Sequence, residues 1–357
     1  MEIKLGQILE ASLHELQDFR RAKTLSPELK AYALILITYL KGDSEALRKA
    51  LDEILSSNPE LSKEMHIIHE AGLLRFQIRN HMVDPEHLKM VEELANSAST
   101  PIEWRAELFF IIAMSYETLH DDQTACGFYK HASVIFDEAA VHKKAIKAYQ
   151  NYIASESRVH HEKNFLVEYQ YVYEKARKLG ELGVAGSALN NMSHEYQKTG
   201  SLKLALKFSN RALACLKKDF GSLHYYLALA HRAHLLIEMG NEHEARITID
   251  QLKPSTFAEV RAALEELEEL LDKAGGAGDA HSEDFLIRLL MLRERDKFEL
   301  MELLWGEDIG FTVGEERLRE LLVGVRKKYP GLIACNAEKY RIASPSLLPK
   351  AYLKKSG

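Results

Sequence analysis

The chain has 357 residues, of which 46% are hydrophobic and 28% charged, and its formal net charge at pH 7 is −6. This is ample material for a core and exceeds the usual size of a single domain. A membrane span is excluded because no run approaches about 20 apolar residues; the richest, AYALILITYL over 31–40, is too short.

Cysteine usage and the first residues bear on the compartment. Cys126, Cys215 and Cys335 are far apart in sequence and odd in number, which is typical of reduced thiols rather than disulfides. The opening MEIKLGQILE carries an early acid and lacks the shape of a signal peptide. We therefore expect a cytoplasmic protein.

The N-terminal part, 1–98, shows a faint pairing of helices. Residues 30–55 have a helix–Gly–helix rhythm, and segments 62–79 and 85–96 form a further pair. Asp84 and Pro85 open the last segment as a cap and a first-turn proline. We interpret 1–98 as degenerate or capping repeats, since terminal repeats of a solenoid often look atypical.

Residues 99–273 repeat a helix–turn–helix pattern whose corresponding positions are 40 or 80 residues apart. The copy over 105–133 has His120 at its turn, and a looser copy follows with an insertion around 160–161. In the last copy, Gly240 marks the turn and Pro254 closes the second helix.

The best copy, over 186–213, has small residues where two helices touch, large residues between them and Gly at the turn. Its diagnostic positions are Leu189, Met192, Ser193, Tyr196, Gly200, Ala205, Ala212 and Leu213. This spacing resembles that of tetratricopeptide repeat (TPR) proteins. The resemblance implies a mainly α fold, a right-handed α-α superhelix, that offers a concave surface to a protein or peptide partner.

In such a superhelix the first helix of each repeat lines the concave face. The residues that the repeat template places there, and that we expect to contact the partner, are Phe110, Met114, Glu117, Asn190, His194, Gln197, Lys198 and His234. Asn190, His194 and Lys198 recur every four residues and so form one polar stripe along a helix. Amides and a lysine can hydrogen-bond an extended peptide or its carboxylate; the alternative is an ordinary solvated helix face.

The pattern changes after an acidic helix over 256–273. AGGAGDA, at 274–280, has the composition of a flexible linker. Helix signals then cover 281–294, 296–305 and 315–329, followed by strand signals over 332–335 and 339–343. Three helices and a hairpin over 281–345 outline a small α+β winged-helix-like domain, which leaves 346–357 as a basic tail.

This end also resembles the effector domain of response-regulator transcription factors. Val325-Arg326-Lys327-Lys328 and Tyr340-Arg341 match the family's basic helix end and hairpin, whereas Glu338–Lys339 and Gly324 depart from its pattern. From 315 to 357, ten Lys and Arg stand against four Glu, +6, so the rest of the chain carries −12. The resemblance implies DNA binding; a solvated helix face plus a basic tail is the alternative. The candidate DNA contacts are Arg317, Arg319, Arg326, Lys327, Lys328, Lys339 and Arg341.

Catalytic and metal chemistry are not indicated. The sixteen histidines include close pairs such as His66 and His69, but no HExxH is present and no cysteine stands at zinc spacing. Nucleotide-binding and hydrolase motifs are absent from the sequence. We expect a non-enzyme without metal or cofactor. The favoured hypothesis is an adaptor, followed by a transcriptional regulator with a TPR sensor, and then by a helical metal or small-ligand protein.

Overall fold

The computed structural model describes residues 3–57, 60–217, 222–255, 257–305, 311–336, 339–344 and 347. The chain divides into two compact units, Met1–His231 and Arg232–Gly357, and each is described by itself. Among the described residues, no helix is long and apolar enough to cross a membrane.

The first unit is built from antiparallel helix pairs. Its helices are α1 (Leu5–Leu9), α2 (Leu13–Arg21), α3 (Pro27–Lys41), α4 (Ser44–Ser57), α5 (Lys63–Arg79), α6 (Pro85–Asn96), α7 (Ile102–Thr118), α8 (Asp122–Glu138), α9 (His142–Val159), α10 (Leu166–Lys178), α11 (Leu182–Lys198) and α12 (Leu202–Leu216), and α13 (Leu223–Glu238) reaches the boundary between the units. The helix pairs expected within 1–98 are therefore present as α3–α4 and α5–α6.

Several turns between consecutive helices share one conformation. A residue one or two positions after the helix end is left-handed at Gly42, Gly180 and Gly200, and also at His120 and Ala140, which are not glycines. After His120, the backbone amide of Asp121 donates a hydrogen bond of 2.9 Å to the carbonyl oxygen of Tyr116. This hydrogen bond closes the helix end as a Schellman motif, and it explains why the repeat tolerates His where the template has Gly.

The contact between α11 and α12 confirms the register of the best repeat. Ala205 is fully buried, and the Ser193 hydroxyl donates to its carbonyl at 2.6 Å. A Cβ on Gly186 would lie 2.6 Å from Leu216 Cγ and 3.2 Å from the carbonyl oxygen of Ala212. The two helices thus approach so closely that only small residues fit between them.

The N-terminal helices share one core with the repeats that follow. Ile8 and Leu16 are buried in the same hydrophobic cluster as Trp104, Phe136 and Ala148. The Glu10 carboxylate accepts a hydrogen bond at 2.8 Å from the Lys143 amide, in the first turn of α9. Residues 3–21 are therefore packed against the repeats.

The second unit holds a three-stranded sheet. Its elements are α14 (Glu242–Asp250), α15 (Ala258–Leu292), β1 (Arg295–Asp296), α16 (Lys297–Trp305), α17 (Phe311–Lys328), β2 (Ile333–Asn336) and β3 (Lys339–Ile342). The strand order is β1-β3-β2, and both pairings are antiparallel. In β3, Tyr340 lies opposite Arg295 on one side and Cys335 on the other.

The helices of this unit bury their apolar faces against one another. Leu318, Leu322 and Val325 of α17 pack with Leu290 of α15 and Leu300 of α16 in one core cluster. Strand β1 was not predicted. It has only two residues, too few for an alternating pattern to show in the sequence.

The prediction of a flexible linker over 274–280 differs from the structure. These residues lie inside α15, which is helical without interruption from Ala258 to Leu292. Each glycine costs a helix interior about 1 kcal/mol relative to Ala. The segment retains alanines between its glycines, and the strong helix formers Glu268–Leu271 precede it. The division of the chain into the predicted domains remains a prediction.

Candidate functional site

The inner face of the first unit is formed by the first helices of successive pairs. Side chains from α3, α5 and α9 all reach one residue of α7: Tyr32, Arg75 and Lys144 contact the Glu107 carboxylate. The first helices of these neighbouring pairs therefore converge at one carboxylate. That the partner contacts predicted on α7 and α11 line a concave face of the helical stack stays a prediction.

The three partner contacts predicted on α7 differ in how exposed they are. Phe110 is only 2% exposed and packs edge-on against Tyr129 and Phe136, so its prediction as a partner contact is wrong: the helices converge and cover it. Met114 and Glu117 are half-buried. Glu117 accepts a hydrogen bond from Tyr129 and pairs with Arg158 at 2.5 Å.

Asn190 and His194 are the first two residues of the predicted polar stripe on α11. Asn190 is half-buried, and its Oδ1 atom is shielded without a hydrogen-bond partner among the described residues. His194 is exposed, and its ring stacks on His231 with centroids 3.5 Å apart. The Ser193 hydroxyl donates to a backbone carbonyl and lies 3.0 Å from His231 Nε2, so its oxygen accepts from that nitrogen.

Lys198 belongs to a structural ion pair. Its ammonium lies 2.7 Å from the Glu195 carboxylate and 2.9 Å from the Ser157 hydroxyl. Glu195 is almost fully buried and also accepts a hydrogen bond from the Phe165 amide, which tethers the loop between α9 and α10. Because breaking a buried ion pair is strongly destabilising, Lys198 is not a suitable position for a binding test.

The remaining predicted contacts are Gln197 and His234. Gln197 is half-buried on α11. His234, on the part of α13 that belongs to the second unit, is also half-buried, and its Nδ1 lies 3.8 Å from the Glu238 carboxylate. Nothing in the structure assigns a ligand to either residue, and both stay predictions.

A group of buried charges around Glu107 was not predicted from the sequence. Glu107 is fully buried. Its carboxylate accepts a hydrogen bond of 2.7 Å from the Tyr32 hydroxyl and lies 3.1 Å from the Lys144 ammonium. Arg75, which is 3% exposed, pairs with the same carboxylate. The only sequence signal was a lone glutamate inside the apolar run AELFFIIAM; nothing in that run indicates which residues of three other helices would surround it.

Burial and the neighbouring charges shift the pKa values of Glu107 and Lys144 within this cluster. Burial opposes ionisation of Glu107, but Lys144 and Arg75 hold the pKa of its carboxyl at about 2. Burial lowers the pKa of Lys144 to about 8; the attraction of Glu107 opposes this shift, while Arg75 and Lys147 add to it. The cluster is therefore ionised at neutral pH with an excess of positive charge.

A second group of charges links α5 to α6. The buried Glu70 carboxylate lies 2.9 Å from His69 Nδ1 and 2.7 Å from His87 Nε2, and His66 lies 3.6 Å away. Burial raises the pKa of Glu70, but the hydrogen bonds from His69 and His87 outweigh it and set the pKa at about 2. Within the described ranges, no three His, Cys, Asp or Glu side chains are arranged to hold a metal ion.

The predicted DNA contacts fall into two groups. Arg317 is half-buried, and its guanidinium donates a hydrogen bond of 3.3 Å to Asn241 at the start of α14; its role as a nucleic-acid contact stays a prediction. The others are all exposed, on α17 and β3: Arg319, Arg326, Lys327, Lys328, Lys339 and Arg341. Arg319 lies 3.5 Å from Glu316, and Lys339 lies 3.9 Å from Glu294.

Three solved structures resemble the chain. A Rap protein complexed with competence and sporulation factor is 16% identical and covers 89% of each chain with a TM-score of 0.54. The apo quorum sensor NprR from B. thuringiensis is 19% identical, covering 88% of this chain and 86% of its own, with a TM-score of 0.50. Aspartyl phosphate phosphatase F from Bacillus subtilis is 13% identical, covering 92% and 96%, with a TM-score of 0.50.

Identities this low establish the fold alone. The prediction of a TPR-like α-α superhelix followed by a small α+β part is thereby confirmed. No protein-family model matches the sequence, and no curated protein matches it.

Proposed function

We propose that the protein is a non-enzymatic, cytoplasmic adaptor that binds a segment of a protein or peptide on the inner face of its first unit. The observation that carries this proposal is the shielded Asn190 Oδ1 atom, which has no hydrogen-bond partner among the described residues. A buried acceptor left unpaired costs about 1–3 kcal/mol. A backbone N–H of an extended segment would satisfy it, as in other backbone-directed recognition modes.

The neighbouring side chains and the related folds support the same surface. His194, one turn along α11 from Asn190, is exposed and stacks on His231, so its ring offers contact area beside the Asn190 amide. Among the proteins of similar fold, the Rap protein was solved with competence and sporulation factor bound, and NprR is a quorum sensor. Both are consistent with a chain that acts by binding.

The test is affinity capture from native lysate with the full chain and its Asn190→Ala/His194→Ala variant. We expect partner capture to fall at least tenfold, because the acceptor and the exposed ring are lost, while the melting temperature stays within about 2 °C. The matched control is Lys203→Ala/Lys207→Ala, which changes two exposed side chains of α12 and should capture normally. Undiminished capture by the first variant would reject the inner face as the binding surface.

A second candidate function rests on the topology of the C-terminal elements. The order helix–strand–helix–helix–strand–strand, with strand order β1-β3-β2, is compatible with a winged helix and supports this candidate. In this reading α17 and the β2–β3 hairpin would meet DNA, with Arg326 and Lys327 exposed at the basic end of α17. Against this, Glu315, Glu316 and Glu320 lie on the same helix, N-terminal to its basic end.

Gel-shift titrations with a duplex of random sequence at several salt concentrations test this candidate. If α17 follows the phosphate backbone, binding should weaken steeply with salt. Arg326→Ala/Lys327→Ala should then reduce the slope of log K against log salt by about two, one per phosphate contact. Absence of any shift at 50 mM salt would leave the adaptor as the sole proposal.

A further inference from the structure

Two arginines converge on one tyrosine between α10 and α12, the second helices of their pairs. Arg177, one turn after Tyr173 on α10, donates a hydrogen bond of 3.3 Å to the Tyr173 hydroxyl oxygen, and Arg211 of α12 donates one of 3.4 Å to the same oxygen. Both guanidinium groups also lie over the Tyr173 ring, 5.9 and 5.5 Å from its centroid. Arg211 lies 4.9 Å from the centroid of the Phe208 ring as well, so two aromatic side chains orient it.

Neither arginine has an acidic partner. Within the ranges that the structure describes, no ion pair joins Arg177 or Arg211 to a carboxylate. The Tyr173 phenol, and to a smaller extent the Cys215 thiol, raises the pKa of Arg177. A phenol compensates a positive charge far less than a carboxylate does, and a guanidinium group stays charged at any ordinary pH. Two like charges therefore lie beside one phenol.

The surroundings of the two arginines are basic. α12 contains no acidic residue, and its lysines Lys203 and Lys207 are exposed. On α10, Glu174 directly follows the tyrosine, but its carboxylate accepts a hydrogen bond of 2.7 Å from the Gln170 amide. The chemistry that this surface favours is therefore the binding of an anion.

The Tyr173 hydroxyl has bonds of the opposite kind to those of Tyr116. The Tyr116 hydroxyl donates to the Glu92 carboxylate, which raises its pKa to about 12. The Tyr173 oxygen accepts from Arg177 and Arg211, which lowers its pKa, and its own O–H meets no acceptor among the described residues. Both hydrogen bonds from the arginines are longer than the roughly 2.7–2.9 Å of a charge-assisted bond. The three groups thus have donor capacity that the phenol oxygen does not use.

We propose that Arg177, Arg211 and Tyr173 form a binding site for a phosphate monoester. A phosphate group carries about −1.5 to −2 charges at pH 7, which matches two guanidinium groups, and its oxygens suit the planar fork of an arginine. The Tyr173 O–H would donate to a further oxygen. The phosphate belongs to a phosphorylated side chain of a protein or to a free phosphate compound. The site shares no residue with the proposed adaptor surface.

The probes are inorganic phosphate, N-acetylphosphoserine amide and acetate, each added to the full-length protein. Tyrosine labelled with ¹³C at Cζ is followed by NMR, and the Tyr173 signal is assigned by its loss in Tyr173→Phe. We expect this signal to shift saturably with a phosphate probe. Acetate, with one charge and two oxygens, should bind at least tenfold more weakly. A Tyr173 signal that neither phosphate probe moves, or that acetate moves at equal concentration, would overturn the proposal.

The ratio of the two phosphate affinities distinguishes the sources of the phosphate. Phosphoserine amide that binds at least tenfold more tightly than inorganic phosphate identifies a phosphorylated side chain as the ligand. A smaller difference shows that the site recognises the phosphate group by itself, as in a free phosphate compound. Either result supports the site.

Arg177→Gln/Arg211→Gln should weaken phosphate binding at least tenfold, because both charges and both planar donor groups are lost. The fold should be retained, since both side chains are exposed, and the melting temperature checks this. The matched control, Lys178→Gln/Lys203→Gln, removes the same charge from exposed positions of the same two helices. It should change the affinity less than twofold.

An equal loss in the control and the arginine variant would show only general attraction to a basic surface and would reject the site. The outcome is also separable from that of the adaptor test. The changes at Asn190 and His194 leave the phosphate site intact, so the Tyr173 signal should respond to phosphate in that variant whether or not partner capture is lost.

Discussion

At the scale of single residues, backbone conformation governs the turns between helices. Gly200 and Ala140 hold equivalent left-handed positions, with φ of 71° and 58°. A left-handed conformation costs an L-residue roughly 1–2 kcal/mol, whereas glycine adopts it freely. The repeat therefore prefers glycine at this position, and an alanine or a histidine there is tolerated at the expense of stability.

Exchanging the two residue types tests this argument. Gly200→Ala should lower the free energy of unfolding by about 1 kcal/mol, and Ala140→Gly should raise it by a similar amount. A Cβ at Gly200 would meet no atom within 4 Å, and Ala140 is exposed, so packing changes little in either variant. Urea unfolding of both variants measures the effect; two midpoints equal to that of the wild type would contradict it.

At the scale of elements, a helix can depend on a cap from a distant segment. The residue before α9, Val141, has no side chain able to accept a hydrogen bond, and its helix start has no local side-chain cap. Glu10 supplies the acceptor from the loop after α1. A carboxylate at a helix N-terminus also interacts favourably with the helix dipole, so α1 contributes to the stability of α9.

We expect Glu10→Ala to lower the free energy of unfolding by about 0.5–2 kcal/mol, the usual effect of removing a helix cap. Glu10→Gln keeps an acceptor oxygen and should lose less. Glu53→Ala, at an exposed position of α4, serves as the control. Chemical denaturation measures all three, and a Glu10→Ala variant as stable as this control would show that the cap is dispensable.

At the scale of the whole molecule, buried carboxylates connect stability to pH. Glu70 titrates at about 2 in the folded chain, below its ordinary value of 4.5. The unfolded chain therefore binds more protons as pH falls through this range. The stabilisation from Glu70 is complete above pH 4.5 and is lost as the pH falls from 4.5 to 2.

Replacing the Glu70 carboxylate should make the free energy of unfolding less dependent on pH under acidic conditions. The shift corresponds to about 3 kcal/mol at most, so Glu70→Gln should lose stability at pH 7 yet depend less on pH between 4.5 and 2. Urea unfolding at pH 7, 4 and 3 tests this, with Glu53→Gln as an exposed control. Parallel pH curves for Glu70→Gln and the wild type would contradict the assignment.

The sequence by itself determined the repeat architecture. Small residues such as Ala205, turn glycines such as Gly200 and the apolar positions of α17 are each dictated by contacts within one helix pair or along one helix. Such local requirements leave a periodic pattern that can be read without coordinates. The polar stripe of α11 was visible for the same reason, because residues four apart share a helix face.

Only the tertiary structure decided which of the predicted contacts bond to, or are covered by, other residues of the protein, and which charged side chains cluster together. Lys198 pairs with buried Glu195, Arg317 contacts Asn241, and Phe110 is covered by neighbouring helices. The cluster at Glu107 joins α3, α5, α7 and α9, so its members are separated by up to 112 residues, from Tyr32 to Lys144. Their interaction depends on how the helix pairs stack, and no spacing within a single helix encodes it.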